Sequence, residues 1–249
     1  MTEQTHAKLL RYVYKLSFDN GDEKEFEILL DEASLELQSD NNEPKPDWTK
    51  LKYSQCENCP LSDSVQYCPI AVNLSRLVSS FADAASYEAA LVTVESPQRT
   101  YVKKTTLQKA LSAIIGIYMV TSNCPVMDKL RPMTRFHLPF ANSLETFFRS
   151  ISSYLVAQFL LKTKGTEPDW ELKGLREIYK QVNVVNKGMS QRLLNATKTD
   201  ANVNAVVILH SFGDGISYFI DNGLADIEPM FDVFLKGDKD SFAGSVPPN

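Results

Sequence analysis

Residues 53–69 read YSQCENCPLSDSVQYCP, and a fourth cysteine follows in SNCP at residues 122–125. The chain has four cysteines, and they are Cys56, Cys59, Cys68 and Cys124. A Cys-x2-Cys turn directs two thiolates towards one centre, as tetrahedral zinc requires, and four sulfur ligands also suit an iron–sulfur cluster. The spacing therefore predicts that the four cysteines converge and that a metal joins distant parts of the chain.

Three of these cysteines are followed directly by proline, which fixes the backbone where the chain leaves each cysteine. The distance from Cys59 to Cys68 matches no standard zinc finger, so other states of the thiols stay open. The alternatives to zinc are an iron–sulfur cluster, reduced thiols that only pack, and a disulfide. A reducing compartment places a metal ahead of a disulfide.

The composition is that of a soluble globular protein with 249 residues and a formal net charge of −5. A net negative charge argues against broad nucleic-acid binding, which needs a basic surface. The N-terminal residues lack the apolar core of a secretory signal, and no uncharged apolar stretch approaches the length of a membrane span. We therefore expect a cytoplasmic protein without a membrane-spanning segment, whose partner is another protein or a small molecule.

The hydrophobic pattern predicts an α+β fold with a small antiparallel β portion before a mainly helical bundle. Apolar residues alternate over residues 9–18 and 26–30 around the turn residues 19–22, which is typical of a β-hairpin. Residues 90–96 and 100–102 read as two further short strands.

Helical spacing of apolar residues begins after Pro69 and returns from Thr105, Ser143, Asp169 and Asp200 onwards. Thr105 and Gln108 have the spacing of a capping box. In the helix that begins at Ser143, Glu145 and Arg149 have the spacing of an ion pair. The helix from Asp200 to about Phe219 is apolar on most sides, so we expect it to be the central, buried helix.

These elements predict one α+β domain over residues 1–235. Its β-rich part, residues 1–102, contains the cysteine motif, and its helical part covers residues 103–235. Residues 236–249, rich in small and polar side chains, are predicted to be a disordered tail.

Two basic segments are candidate sites besides the cysteines. Lys103, Lys104, Thr105 and Thr106 precede a predicted helix, where free amides and cations would form an anion site. The competing interpretation is an ordinary helix cap beside solvated lysines.

The second segment, RPMTRFHLPF at residues 131–140, follows Cys124 closely. Arg131, Arg135 and His137 would there surround the thiolates as a second layer and balance their charge. The competing interpretation is that the arginines form ion pairs and the histidine packs in the interior.

The segments NCPL, YCPIA, RTYVKKTTLQKALS, NCPVMDKLRPMTRFHLPFA and DANVNAVVIL resemble a bacterial protein family carried as a domain of unknown function. The resemblance covers most of the chain, from the hairpin to the helix after Asp200. It implies a bacterial, cytoplasmic protein, and it implies no activity, substrate or catalytic residue.

The sequence thus predicts a soluble binding or regulatory module with a structural four-cysteine metal site, with zinc as the metal. The alternative is an iron–sulfur or thiol redox protein, which would include an enzyme acting on an anionic ligand. Because the GxGxxG, GxxxxGK[ST], GxSxG and HExxH motifs are missing from the sequence, the pattern does not decide whether the protein is an enzyme.

Overall fold

The structure is a computed structural model that describes residues 8–38, 45–197 and 200–236. Its sheet contains four antiparallel strands in the order β2-β1-β3-β4. The strands are β1 (Leu9–Phe18), β2 (Glu23–Asp31), β3 (Ala89–Glu95) and β4 (Thr100–Thr106). The predicted hairpin and the two later strands are confirmed.

The hairpin forms because alternate side chains of β1 and β2 are apolar and face the interior. Tyr14, Leu16 and Ile28 are fully buried, and Leu10 pairs with Leu30 across the two strands. Gly21 has a φ of +89°, a conformation that few residues other than glycine adopt easily in this turn.

Helices supply the rest of the regular secondary structure in the described residues, so the predicted α+β class is confirmed. The α-helices are α1 (Pro69–Ser80), α2 (Leu107–Val120), α3 (Ser143–Thr163), α4 (Lys173–Ala196), α5 (Ala201–Asp221) and α6 (Asp232–Leu235). Short 3₁₀ helices cover Asp47–Thr49, Met127–Phe136 and Glu228–Phe231.

The main hydrophobic core lies between one face of the sheet and α1, α2, α4 and α5. Within the bundle, α4 packs along α5, and α5 packs along α2. A second, smaller cluster joins α3, the first half of α4 and the end of α5, and Leu130 contacts both clusters.

The helix α5 is not the most buried helix, contrary to the sequence-based expectation. Val207 and Tyr218 of α5 are 46% and 70% exposed, whereas Leu111, Ile114 and Ile115 of α2 are fully buried. Because this helix is apolar on most sides, its sequence does not show which side faces solvent. By length and composition α5 could cross a membrane, but core helices pass the same criterion and 39% of its apolar window is buried.

The second helix begins later than predicted, because β4 continues through Thr106. Ala89 pairs with Thr106 and Ala90 pairs with Thr105, so the ladder of β3 and β4 extends up to Leu107. Thr106 is the residue before α2, and its side chain makes no capping hydrogen bond, so the predicted capping box is wrong. Of the predicted tail, residues 237–249 lie outside the described residues.

Candidate ligand-binding site

The four cysteines come from two loops, because Cys56, Cys59 and Cys68 lie in the loop before α1 and Cys124 lies in the loop after α2. Cys56 and Cys59 lie in one turn, in which the Cys59 N–H donates to the Cys56 carbonyl at 3.1 Å. Cys68 precedes α1 and is buried, and Cys124 follows α2 and is also buried. All four cysteines are free, so no disulfide joins them.

The surroundings of Cys56, Cys68 and Cys124 favour the protonated thiol. Burial, with smaller contributions from the neighbouring thiols of Cys68, Cys124 and Cys59, raises the pKa of Cys56 to about 12. Burial also raises the pKa of Cys68 and of Cys124. Thiolate, the form that binds metals and attacks disulfides, is therefore disfavoured there.

The predicted function as a module built around a four-cysteine metal site is contradicted by this arrangement. Within the described ranges, no group of three or more His, Cys, Asp or Glu side chains is placed to hold a metal ion. The physical reason is that the cysteines fill an apolar boundary between loops, where Cys56 contacts Gly188 of α4. Zinc or an iron–sulfur cluster as the cofactor stays a prediction from the spacing.

Arg192 organises the cysteine loop by hydrogen bonds. Its side chain is 1% exposed and donates to the carbonyls of Trp48, Lys50, Leu51 and Ser54 at 2.6, 2.7, 3.1 and 3.3 Å. A guanidinium group presents several donors in a fixed plane, which suits a loop with several inward carbonyls. Arg192 thus holds the chain that leads to Cys56 against α4.

The predicted anion-binding segment lies on β4, and its side chains lie in two different environments. Lys104 approaches the Asp19 carboxylate at 3.4 Å, and its side chain is 65% exposed. Lys103 and Thr105 instead line a cavity, and the Lys103 ammonium lies 5.9 Å from the centre of the Phe140 ring. Thr106 ends the strand.

The three residues predicted to surround the thiols as a second layer also lie in different environments. Arg131 forms ion pairs with Glu36 and Asp128, and Arg135 forms one with Glu32 at 2.9 Å. His137 contacts the hydroxyl of Tyr14 and lines the same cavity as Lys103.

This cavity has a volume of about 490 Å³, within the usual range of about 300–1,000 Å³ for small-molecule sites. It lies between β4, α2, the segment 127–142 and the facing sides of α3, α4 and α5. Most of its wall is apolar. The apolar side chains include Ile117, Val120, Met127, Leu130, Met133, Leu138, Phe140, Val182, Ile208, Leu209 and Phe212.

The charged side chains that line the cavity all carry the same sign. They are Lys103, Lys109 and Arg149. No aspartate or glutamate lines it among the residues that the structure describes, although the whole chain has more acidic than basic residues. The cavity is therefore a local positive site on an acidic protein.

Arg149 is the most enclosed of these three cations. It donates to the Met133 carbonyl at 3.0 Å, and no described carboxylate forms a salt bridge with it. Glu145, its predicted partner, instead caps α3 by accepting from the Asn142 N–H at 2.8 Å. Burial lowers the pKa of Arg149, and the nearby tyrosines and Glu145 oppose this shift only in part.

The polar neighbours of Arg149 are neutral. Burial, with a smaller contribution from the charge of Arg149, lowers the pKa of His137 to about 3, so the ring is uncharged at neutral pH. Burial raises the pKa values of Tyr12 and Tyr179, and the Tyr179 hydroxyl shares a 2.7 Å hydrogen bond with that of Ser150. These groups offer hydrogen bonds and supply no negative charge.

Reasoning from the sequence included Lys103, Thr105 and His137 but missed Arg149 and Lys109. Arg149 had a plausible partner four residues earlier, and local spacing cannot show that Glu145 turns to the helix end. The segment 131–140 was a usable signal, because Met133, Thr134, His137, Leu138 and Phe140 from it line the cavity, although its arginines do not.

No curated protein and no solved structure matches the chain. One family matches residues 12–232, from the first strand to the start of the last helix. Because this match spans most of the 249 residues, the chain belongs to the family described as "Domain of unknown function (DUF6901)".

Proposed function

We propose that this protein binds an amphipathic organic acid in the cavity between its sheet and its helices. The ligand consists of an apolar body and one carboxylate head. The apolar body packs against side chains such as Ile117, Leu209 and Phe212, and the head pairs with Arg149.

One observation carries this proposal, and it is the enclosed charge of Arg149 without a carboxylate partner in the described structure. A half-buried cation loses hydration, and an anion nearby restores the lost stabilisation. A guanidinium group also matches the two oxygens of a carboxylate in geometry. A carboxylate supplied by a ligand would thus complete an arrangement that the chain leaves incomplete.

The other two cations support the same class of ligand. Lys103 and Lys109 are exposed residues on the wall, so they attract an anion from solvent before it reaches Arg149. Asn142, Ser143 and Thr146 at the N-terminal end of α3 also line the cavity. The positive end of that helix dipole adds to the attraction.

The apolar wall excludes small, fully hydrated anions such as inorganic phosphate as the best ligands. Burying this much apolar surface favours a ligand by about 25 cal/mol for each Å² of apolar area removed from water. A charged group alone would lose hydration in the cavity without that gain. The ligand should therefore bind through both of its parts.

A matched pair of ligands tests the proposal directly. Decanoate and decanol have the same chain and differ in the charged head, and their binding can be followed by displacement of a fluorescent naphthalene sulfonate. We expect decanoate to bind roughly tenfold or more tightly than decanol, because an enclosed ion pair contributes on the order of 1–3 kcal/mol. Equal binding of the two compounds would contradict the proposal.

Two arginine variants distinguish the site from general positive charge. Arg149→Met should remove most of the preference for decanoate and leave decanol binding nearly unchanged. Arg135→Met removes the same charge from a residue that pairs with Glu32 and does not line the cavity. The preference should survive in this control, and an equal loss in both variants would argue against a specific site.

The cellular location that we propose is the cytoplasm. Only α5 among the described helices is apolar enough to cross a membrane, and its packing in the core accounts for that composition. The chain would then act on a soluble metabolite and need no membrane.

A further inference from the structure

The outer side of α3 exposes large apolar side chains to solvent. Phe148, Val156, Phe159 and Leu160 are 45%, 59%, 59% and 53% exposed. The inner side of the same helix is already used, because Ile151 and Gln158 are buried. Clustered exposed aromatic and aliphatic side chains on one helix mark an interaction surface more often than single exposed residues do.

This outer side carries the spacing of a helix that pairs with another helix. Glu145, Phe148, Ser152, Leu155, Phe159 and Lys162 follow one another at intervals of three and four residues. Of these, Glu145, Phe148, Phe159 and Lys162 are exposed, whereas Ser152 is partly buried and Leu155 also packs against the second core cluster. That alternation is the heptad spacing of the contact positions in a coiled coil. The helix α3 has 21 residues, so the surface extends over roughly 30 Å at 1.5 Å for each residue.

The same positions are symmetric about the midpoint between Ser153 and Tyr154. Phe148 and Phe159 lie equally far from that midpoint, and so do Glu145 and Lys162. A second copy that approaches in the antiparallel direction therefore meets each aromatic residue with an aromatic residue and each charge with its opposite. A twofold axis requires this kind of self-complementary surface.

We propose that α3 is the interface of a homodimer, paired with the partner's α3 in the antiparallel direction. Phe148 of one protomer packs near the partner's Phe159, and Glu145 pairs with the partner's Lys162. Within the described structure neither Glu145 nor Lys162 forms a salt bridge. Glu145 uses its Oε2 atom to cap α3, and its charge is still able to pair with the partner's Lys162. The interface is independent of the ligand that the cavity binds.

The C-terminal helices enlarge the same surface. Phe231 stacks on Phe148 with ring centres 6.4 Å apart, and Phe234 lies 6.4 Å from Phe231. Phe234 is 71% exposed. These rings extend the apolar area beside the Phe148 end of α3, where Leu160 of a second copy would arrive.

Sedimentation equilibrium of the full chain tests the proposal. We expect a dimer at micromolar concentration, and Phe159→Glu should raise the dimer Kd by about tenfold or more by placing a charge in the interface. Leu194→Glu is the control, because Leu194 is similarly exposed at 56% but lies on α4. A full chain that stays monomeric at high micromolar concentration overturns the proposal.

Charge reversal then tests the antiparallel pairing itself. Chains with Lys162→Glu, or chains with Glu145→Lys, place like charges opposite each other and should dimerise several-fold more weakly than wild type. An equimolar mixture of the two variants restores both opposite-charge pairs and should recover association. No recovery in the mixture, with both variants folded by circular dichroism, overturns the antiparallel arrangement.

The chain's own last residues are the other candidate to cover the outer side of α3. A truncated chain that ends at Lys236 tests this alternative. The proposal expects the truncated chain to dimerise as the full chain does. A truncated chain that dimerises while the full chain remains monomeric would show that residues 237–249 occupy the surface, and it would overturn the homodimer.

Discussion

A methyl group added to Gly188 would lie 2.7 Å from the sulfur of Cys56 and 3.3 Å from its Cα. Real Cβ atoms do not approach other atoms so closely, so α4 and the cysteine loop are in contact through the bare backbone of this glycine. The loop cannot move freely to make room, because Arg192 holds the carbonyls of Lys50 and Ser54. Gly188 thus sets the distance between the loop and the helix.

Gly188→Ala should destabilise the protein despite the better helix propensity of alanine. Overpacking costs about 1–3 kcal/mol, whereas alanine gains at most about 1 kcal/mol over glycine within a helix. Gly116→Ala is the matched control, because its added methyl would lie at an ordinary 3.6 Å from the Leu209 side chain. Urea unfolding should show a lower midpoint for Gly188→Ala and an unchanged or higher one for Gly116→Ala.

A second substitution checks that Cys56 is the cause. In the double variant Gly188→Ala, Cys56→Ala, the nearest atom is absent, and part of the lost stability should return. A double variant whose destabilisation equals the sum of the two single changes would mean that the contact does not limit the helix.

Substitution of Arg192 should lower the stability of the protein more than substitution of an exposed arginine does. Arg192→Met leaves the carbonyls of Trp48, Lys50 and Leu51 without their donor, at about 1–3 kcal/mol for each buried group that stays unpaired. Arg192→Lys keeps the charge but not the planar set of donors, so it should recover only part of the stability. Thermal unfolding in which lysine equals arginine would argue that charge alone matters.

The helix α5 shows what a sequence can and cannot reveal about burial. Its apolar length was recognisable, and so was its start near Asp200. Which valines face inward was not, because Val206 and Val207 are adjacent and chemically identical. The packing of α2 and α4 decides that Val206 is fully buried and that Val207 is 46% exposed.

This difference gives a prediction with its own internal control. Val206→Asp places a charge in the core and should cost several kcal/mol, on the order of 3–5. Val207→Asp should cost about 0.5 kcal/mol or less, because valine and aspartate have similar helix propensities and Val207 is 46% exposed. If denaturant unfolding gave similar losses for both variants, the orientation of α5 would be wrong.

For the candidate sites too, the sequence predicts what neighbouring residues decide and misses what contacts between distant segments decide. The spacing predicted that the four cysteines would converge on a metal, but no group of three or more such ligands forms within the described ranges. Cys56 instead packs against Gly188 of α4, far along the chain. Lys103 and Lys104 were expected at a helix start, whereas the hydrogen bonds between β3 and β4 keep them in a strand. The cavity is made by side chains from six segments, and no local pattern contains it.

His137 should make stability depend on pH between about pH 7 and pH 5. Burial lowers the pKa of His137 to about 3 in the folded chain, whereas an unfolded histidine has a pKa of about 6.5. Below pH 6.5 the unfolded state therefore binds a proton that the folded state does not. Stability is full above pH 6.5 and falls as the pH decreases towards the folded pKa.

The expected loss is about 2 kcal/mol between pH 7 and pH 5, as calculated from proton linkage for these two pKa values. Carboxyl groups whose pKa is lowered by folding, such as those of Asp169 and Asp200, lose their contribution only as the pH falls below about 4. The chosen window therefore isolates the histidine. Urea unfolding at the two pH values measures the difference.

His137→Gln removes the titrating ring and should flatten this pH dependence, even if the variant is less stable at pH 7. His210→Gln is the control, because it removes a histidine whose side chain is 38% exposed beside Asp214 and does not line the cavity. A slope that persists in His137→Gln would assign the pH dependence to another group. In that case the His137 ring beside Arg149 could carry a charge at neutral pH. One reason to expect that Arg149 binds an anionic ligand would then be lost.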